Sequence, residues 1–106
     1  MRSFRTFTDV EESYLREHPE EIDSYIATLF EEHERDGDTG ALLSSLRTVG
    51  RVKGMTKIAE EAGMTRKGVQ KALSNEGNPT FANVNAIMHA MGYRLIPQKI
   101  QSQDKS

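Results

Sequence analysis

The feature that most constrains this chain is a spacing. Ala59 is followed four residues later by Gly63 and six residues after that by Val69, inside the stretch "MTKIAEEAGMTRKGVQKAL". A small residue, then one that tolerates positive φ, then a buried apolar residue describes two short helices crossing at a tight turn. Ile58, Ala59 and Ala62 give the first helix its inner face. Thr65 caps the second, which turns Val69, Ala72 and Leu73 inward.

The outer face of the second helix is all donors. On a wheel of 100° per residue, Arg66, Gln70, Lys67 and Lys71 fall together, away from Val69, Ala72 and Leu73. Such a face suits a DNA major groove: Arg66 and Lys67 can donate to guanine and Gln70 can bond adenine, while Lys71 grips phosphate. A polar outer face with cations is also what any solvated helix shows. The spacing of Ala59, Gly63 and Val69 favours a helix-turn-helix reading head. Thr56 and Lys57 open the first helix of the pair, where amides and a cation can meet phosphate. Asn78 and Thr80 flank the start of the next helix, a second anion site. Thr56, Thr65 and Thr80 are expected to cap their helices.

Helical patterns fill the rest of the chain. Thr8 and Glu11 have capping-box spacing for "DVEESYLREH", with Glu12 and Arg16 as an i,i+4 pair. Pro19 fits the first turn of a helix carrying Ile22, Tyr25, Ile26, Leu29 and Phe30 as one stripe, with His33 continuing it. "DGDTG" ends that helix. Thr39 is expected to cap the next, which shows Leu42, Leu43, Leu46 and Val49, with Gly50 and Gly54 bracketing its end. "SNEGNP" is a loop. "FANVNAIMHAM" turns Phe81, Val84, Ile87, Met88 and Met91 inward, and Gly92 stops it. "YRLIP" reads either as a short edge strand that pairs with a symmetry mate or as a coil covering the core.

Charge separates along the chain. Residues 1–40 hold 4 Lys/Arg and 12 Asp/Glu, a balance of −8; residues 41–106 hold 10 and 4, a balance of +6. An acidic front and a basic back suggest two kinds of partner. The apolar stripe of residues 22–30 can equally pack on the unit behind it, because the 56 residues of 41–96 are marginal alone. With no cysteine, thiolate metal sites and disulfides are excluded. His18, His33 and His89 lack ligand spacing and no nucleophile has a partner, so neither a metal, a cofactor nor an enzyme is expected. The absence of a membrane-length apolar run and of a leader pattern reads as a cytoplasmic protein.

The run from Leu42 to Leu95 resembles the HigA-like addiction-module antidotes, which carry a lambda-repressor-type helix-turn-helix. The resemblance rests on Lys71-Ala72-Leu73-Ser74, Glu76-Gly77-Asn78-Pro79, Phe81 and Met91-Gly92-Tyr93-Arg94-Leu95. Asn75, where the pattern usually has proline, and Lys67-Gly68-Val69 depart from it and bear on the operator sequence. The helical patterns together with this resemblance give an all-α protein: an acidic helical arm over 1–38, a five-helix lambda-repressor-like domain over 39–97, with room for a short C-terminal strand, and a tail over 98–106. The resemblance implies a repressor of its own operon that binds double-stranded DNA and neutralises a RelE/HigB-like toxin, and a homodimer is expected because one recognition helix reads only a few base pairs. A solitary or phage-derived regulator and a protein-interaction adaptor without DNA affinity are the alternatives.

Overall fold

Helix signals dominate the sequence, and the computed structural model of the chain, which describes residues 7–101, is all-helical among those residues. The elements are α1 (Phe7–Glu17), a 3-10 turn (Pro19–Glu21), α2 (Ile22–Asp36), α3 (Thr39–Lys53), α4 (Met55–Ala62), α5 (Arg66–Ala72) and α6 (Phe81–Ala90).

The punctuation explains the boundaries. α1 stops before Pro19, which disfavours helical backbone at His18, and Pro19 opens the 3-10 turn that leads into α2. Thr8 lies within α1 and does not cap it. α2 ends on Gly37 in the left-handed region. The cap of α3 is Asp38, one residue before the expected Thr39: its carboxylate accepts from Ala41 N at 3.0 Å. A carboxylate there also meets the positive end of the helix dipole, which a hydroxyl does not match. Thr39 is the first helical residue, and its hydroxyl lies 2.9 Å from His33 Nε2. α3 runs on through Gly50, which is buried in its interior, and ends at Gly54.

One apolar core joins the front and back of the chain. Leu15, Ile22 and Ile26 belong to the same buried cluster as Leu46, Val49, Ile58, Leu73, Ile87 and Met88. Tyr25, Leu29 and Phe30 pack against it half-buried. The stripe of α2 is therefore turned inward. α1 and α2 pack on α3, α4 also packs on α3, and α4 packs in turn on α5 and α6. A cross-tie reinforces this: Glu12 accepts from Arg16 Nη2 at 2.7 Å and from Arg51 Nε of α3 at 2.8 Å. The two guanidiniums hold the Glu12 carboxyl below its ordinary pKa.

Two further expectations need correction. Residues 39–97 contain four α-helices, not five, because Gly92 stops α6 and Tyr93–Pro97 follows as coil. Of the two readings of this segment, edge strand or coil covering the core, the coil is the one that forms. Tyr93 and Leu95 pack against the core, Arg94 and Ile96 face solvent, and Tyr93 Oη donates to Asp23 of α2. The alternation is present, but among the described residues no neighbouring strand lies beside it to share a ladder. Phe81 is 72% exposed where an inward position was expected. The apolar row of α6 outruns its support: α6 has 10 residues and α4, on which it packs, has 8. Val84 is half-buried, and Ile87, Met88 and Met91 carry the contact.

Candidate nucleic-acid interface

The turn between α4 and α5 forms as its residues require. Gly63 takes φ +71°, and Met64 N donates to Ala59 O at 2.9 Å, closing the end of α4. Only a residue without Cβ adopts that backbone freely. Ala59 is 4% exposed and Val69 fully buried, so both sit inside the crossing. Thr65 caps α5 by accepting from Gly68 N at 2.9 Å.

This seating fixes what α5 shows to solvent. Arg66, Lys67 and Lys71 are exposed, Gln70 is half-buried, and Val69 and Ala72 are buried. No carboxylate among the described residues lies within ion-pair distance of Arg66, Lys67 or Lys71. Their charge is therefore available to a partner.

Thr56 does not cap α4. Gly54 ends α3 and begins α4 at once, leaving Thr56 as the second helical residue. Its hydroxyl stands 3.5 Å from Arg66 Nη1, so the start of α4 and the start of α5 converge. Thr80 does cap α6, accepting from Asn83 N at 3.1 Å. Lys71 and Asn78 line one groove of about 480 Å³ with Gly68, Ser74 and Asn83, and Glu76 puts a carboxylate there too. That groove depends on Gly77. A Cβ at Gly77 would stand 2.7 Å from the carbonyl oxygens of Lys71 and Ala72, so the loop can fold back on α5 only with glycine. Lys57 faces a different cleft, of about 300 Å³, with Lys53 and His89.

Two features lie outside the expected set. Lys53, in the last turn of α3, joins Lys57 and also stands 5.6 Å from the centroid of the Tyr93 ring. His18, Glu20 and Glu21 bring three possible metal-ligand atoms within 4.8 Å of one another. Ligands that straddle a helix junction do not follow helical spacing, which hid the group. Tyr14 Oη donates to Glu21 and the Tyr14 ring lies 4.3 Å from the His18 ring, so these side chains already have protein partners.

Comparison with known proteins gives two matches. The sequence model of a family described as "Probable addiction module antidote protein" matches residues 6–99. A Haemophilus influenzae protein described as "Uncharacterized protein" is 38% identical over 80 residues, covering 76% of this chain and 78% of its own length. No solved structure gives a significant match.

Proposed function

This chain belongs to the family of probable addiction module antidote proteins, and from that premise we propose that it is the antitoxin of a type II module, a sequence-specific DNA-binding repressor that controls its own operon and neutralises a RelE/HigB-like toxin. It acts by binding, without catalysis, as a homodimer in the cytoplasm. The observation that carries the DNA reading is the unpaired cationic face of α5, held rigid by the Thr65 cap and the buried Val69.

In this reading α3 to α6 form a lambda-repressor-like unit and α4–α5 its helix-turn-helix. α5 enters the major groove N-terminus first. Arg66 and Lys67 donate to guanine edges and Gln70 bonds adenine. Lys71 holds phosphate beside Asn78, and the amide ends of α4 and α6, at Thr56 and Thr80, take neighbouring phosphates. Lys57 reaches the backbone further out, with Lys53 beside it. One such helix reads only a few base pairs, so a two-fold dimer would set two of them about 34 Å apart on successive grooves.

The test is binding to a labelled duplex of the gene's own upstream region against a scrambled duplex, over a salt series. Preference for the first, lost in Arg66→Ala/Gln70→Ala, is expected, with affinity falling steeply as salt rises. Weak and equal binding to both duplexes would overturn the repressor reading and leave an interaction module.

A further inference from the structure

α1 and α2 turn most of their apolar surface onto α3, yet a groove stays open between them. Val10, Tyr14, Leu15 and Tyr25 line it, and it encloses about 380 Å³. Val10 is 49% and Tyr14 46% exposed, while Leu15 forms a buried floor. Apolar surface with a tyrosine at its mouth is the composition of an interface centre rather than of a solvated helix face.

The carboxylates around the groove are sorted. Glu12, which points toward α3, is neutralised by Arg16 and Arg51. Glu11 and Glu21, which line the groove, pair with no cation among the described residues. Each is held by a tyrosine across the gap: Tyr25 Oη donates to Glu11 Oε1 at 3.2 Å, and Tyr14 Oη donates to Glu21 Oε2 at 2.8 Å. An ionised carboxylate accepting one hydroxyl keeps lone pairs for further donors. The mouth is thus apolar in the middle and fixed as an anion on both sides.

We propose that this groove is the toxin-docking site, and that it takes a cationic segment of a basic partner protein, seating an apolar side chain between Tyr14 and Val10 while its Arg or Lys residues bond Glu11 and Glu21. The assignment rests on the antitoxin reading. Charge selects the occupant: residues 1–40 carry 12 Asp/Glu against 4 Lys/Arg, a field that repels nucleic acid and steers a basic protein inward. A second copy of this chain could offer only its own basic back. That front-to-back contact is heterologous and leads to open-ended assembly rather than a closed dimer.

The experiment is calorimetric titration of the full chain with the purified product of the reading frame adjoining its gene. Tyr14→Ala/Val10→Ser is expected to weaken binding at least about tenfold with the melting temperature retained, since both side chains are half-exposed. Glu11→Gln/Glu21→Gln is expected to slow association and flatten its salt dependence. Phe81→Ser, an exposed apolar residue on α6, should bind as wild type does. If wild type binds and the groove variants bind equally well, the docking site is overturned and the antitoxin reading stands. If wild type does not bind, the antitoxin reading falls and takes the site with it. Concentration-dependent self-association abolished by Tyr14→Ala would assign the groove to a second copy and overturn the proposal.

Discussion

The two helix pairs of this chain, α1–α2 and α4–α5, meet at α3, on which α1, α2 and α4 pack, but treat charge in opposite ways. Around the groove of α1–α2 three acids are tied: Glu12 to two arginines, Glu11 and Glu21 to tyrosine hydroxyls. In α4–α5 the cations of the outer face pair with no carboxylate among the described residues, and Arg66 reaches only the Thr56 hydroxyl, at 3.5 Å. The difference teaches that opposite charges far apart in sequence need not mean separate bodies. Here they are two surfaces of one core, whose buried residues run from Leu15 to Met91.

The most severe way to break the comparison is to remove the front's anchor. Leu15→Ala should lower stability by about 2–5 kcal/mol, because Leu15 is buried against the common core. A single cooperative transition, followed by both helical circular dichroism and exchange at α6 amides, is expected. Melting of α1 alone, with α6 unchanged, would show that the front is an independent arm.

A smaller effect tests the back. Gly77→Ala should cost about 1–3 kcal/mol, because the new Cβ meets two backbone carbonyls that cannot swing aside. Thermal unfolding measures it, and wild-type stability in this variant would mean the loop has room to move off α5.

The tie from α1 to α3 is weaker still. Glu12→Gln should cost up to about 1 kcal/mol near neutral pH, since the Arg51–Glu12 pair is partly exposed. Its pH dependence has a definite sign. The folded Glu12 carboxyl lies below its ordinary value of 4.5, so its contribution is complete above that value and is lost as pH falls through the folded one. Urea midpoints taken downward from pH 6 should therefore drop more steeply for wild type than for Glu12→Gln; parallel curves would remove the tie.

Gly68→Ala should be the mildest, within about 0.5 kcal/mol. The roughly 1 kcal/mol gained by replacing a helical glycine is opposed by a Cβ placed 3.0 Å from Thr65 Oγ1, which crowds the cap. A full 1 kcal/mol gain in a urea titration would mean the cap yields freely.

What was legible in the sequence was local. The Gly63 turn, the Thr65 and Thr80 caps, the inward stripe of α2 and the Glu12–Arg16 pair follow from spacing within a few residues. Asp38 and Thr39 are adjacent and both of capping type, so only geometry could choose between them. The ties from Arg51 to Glu12 and from Tyr93 to Asp23 span 39 and 70 residues, beyond the reach of any periodicity. Phe81 obeys the helical period yet lies outside, because a pattern does not reveal where the supporting helix ends. For the candidate interface, the sequence offered candidate residues, but not that Lys57 lines the Lys53 cleft while Lys71 lines a groove with Asn78.

The most direct measurement of the two-surface reading is hydrogen exchange of the full chain with and without a duplex of its own upstream region, at low salt. Protection confined to the starts of α4 and α6 and to α5, with α1 and α2 exchanging as in the free protein, is the expected result. Protection concentrated in α1 and α2, or spread evenly over all six helices, would contradict it.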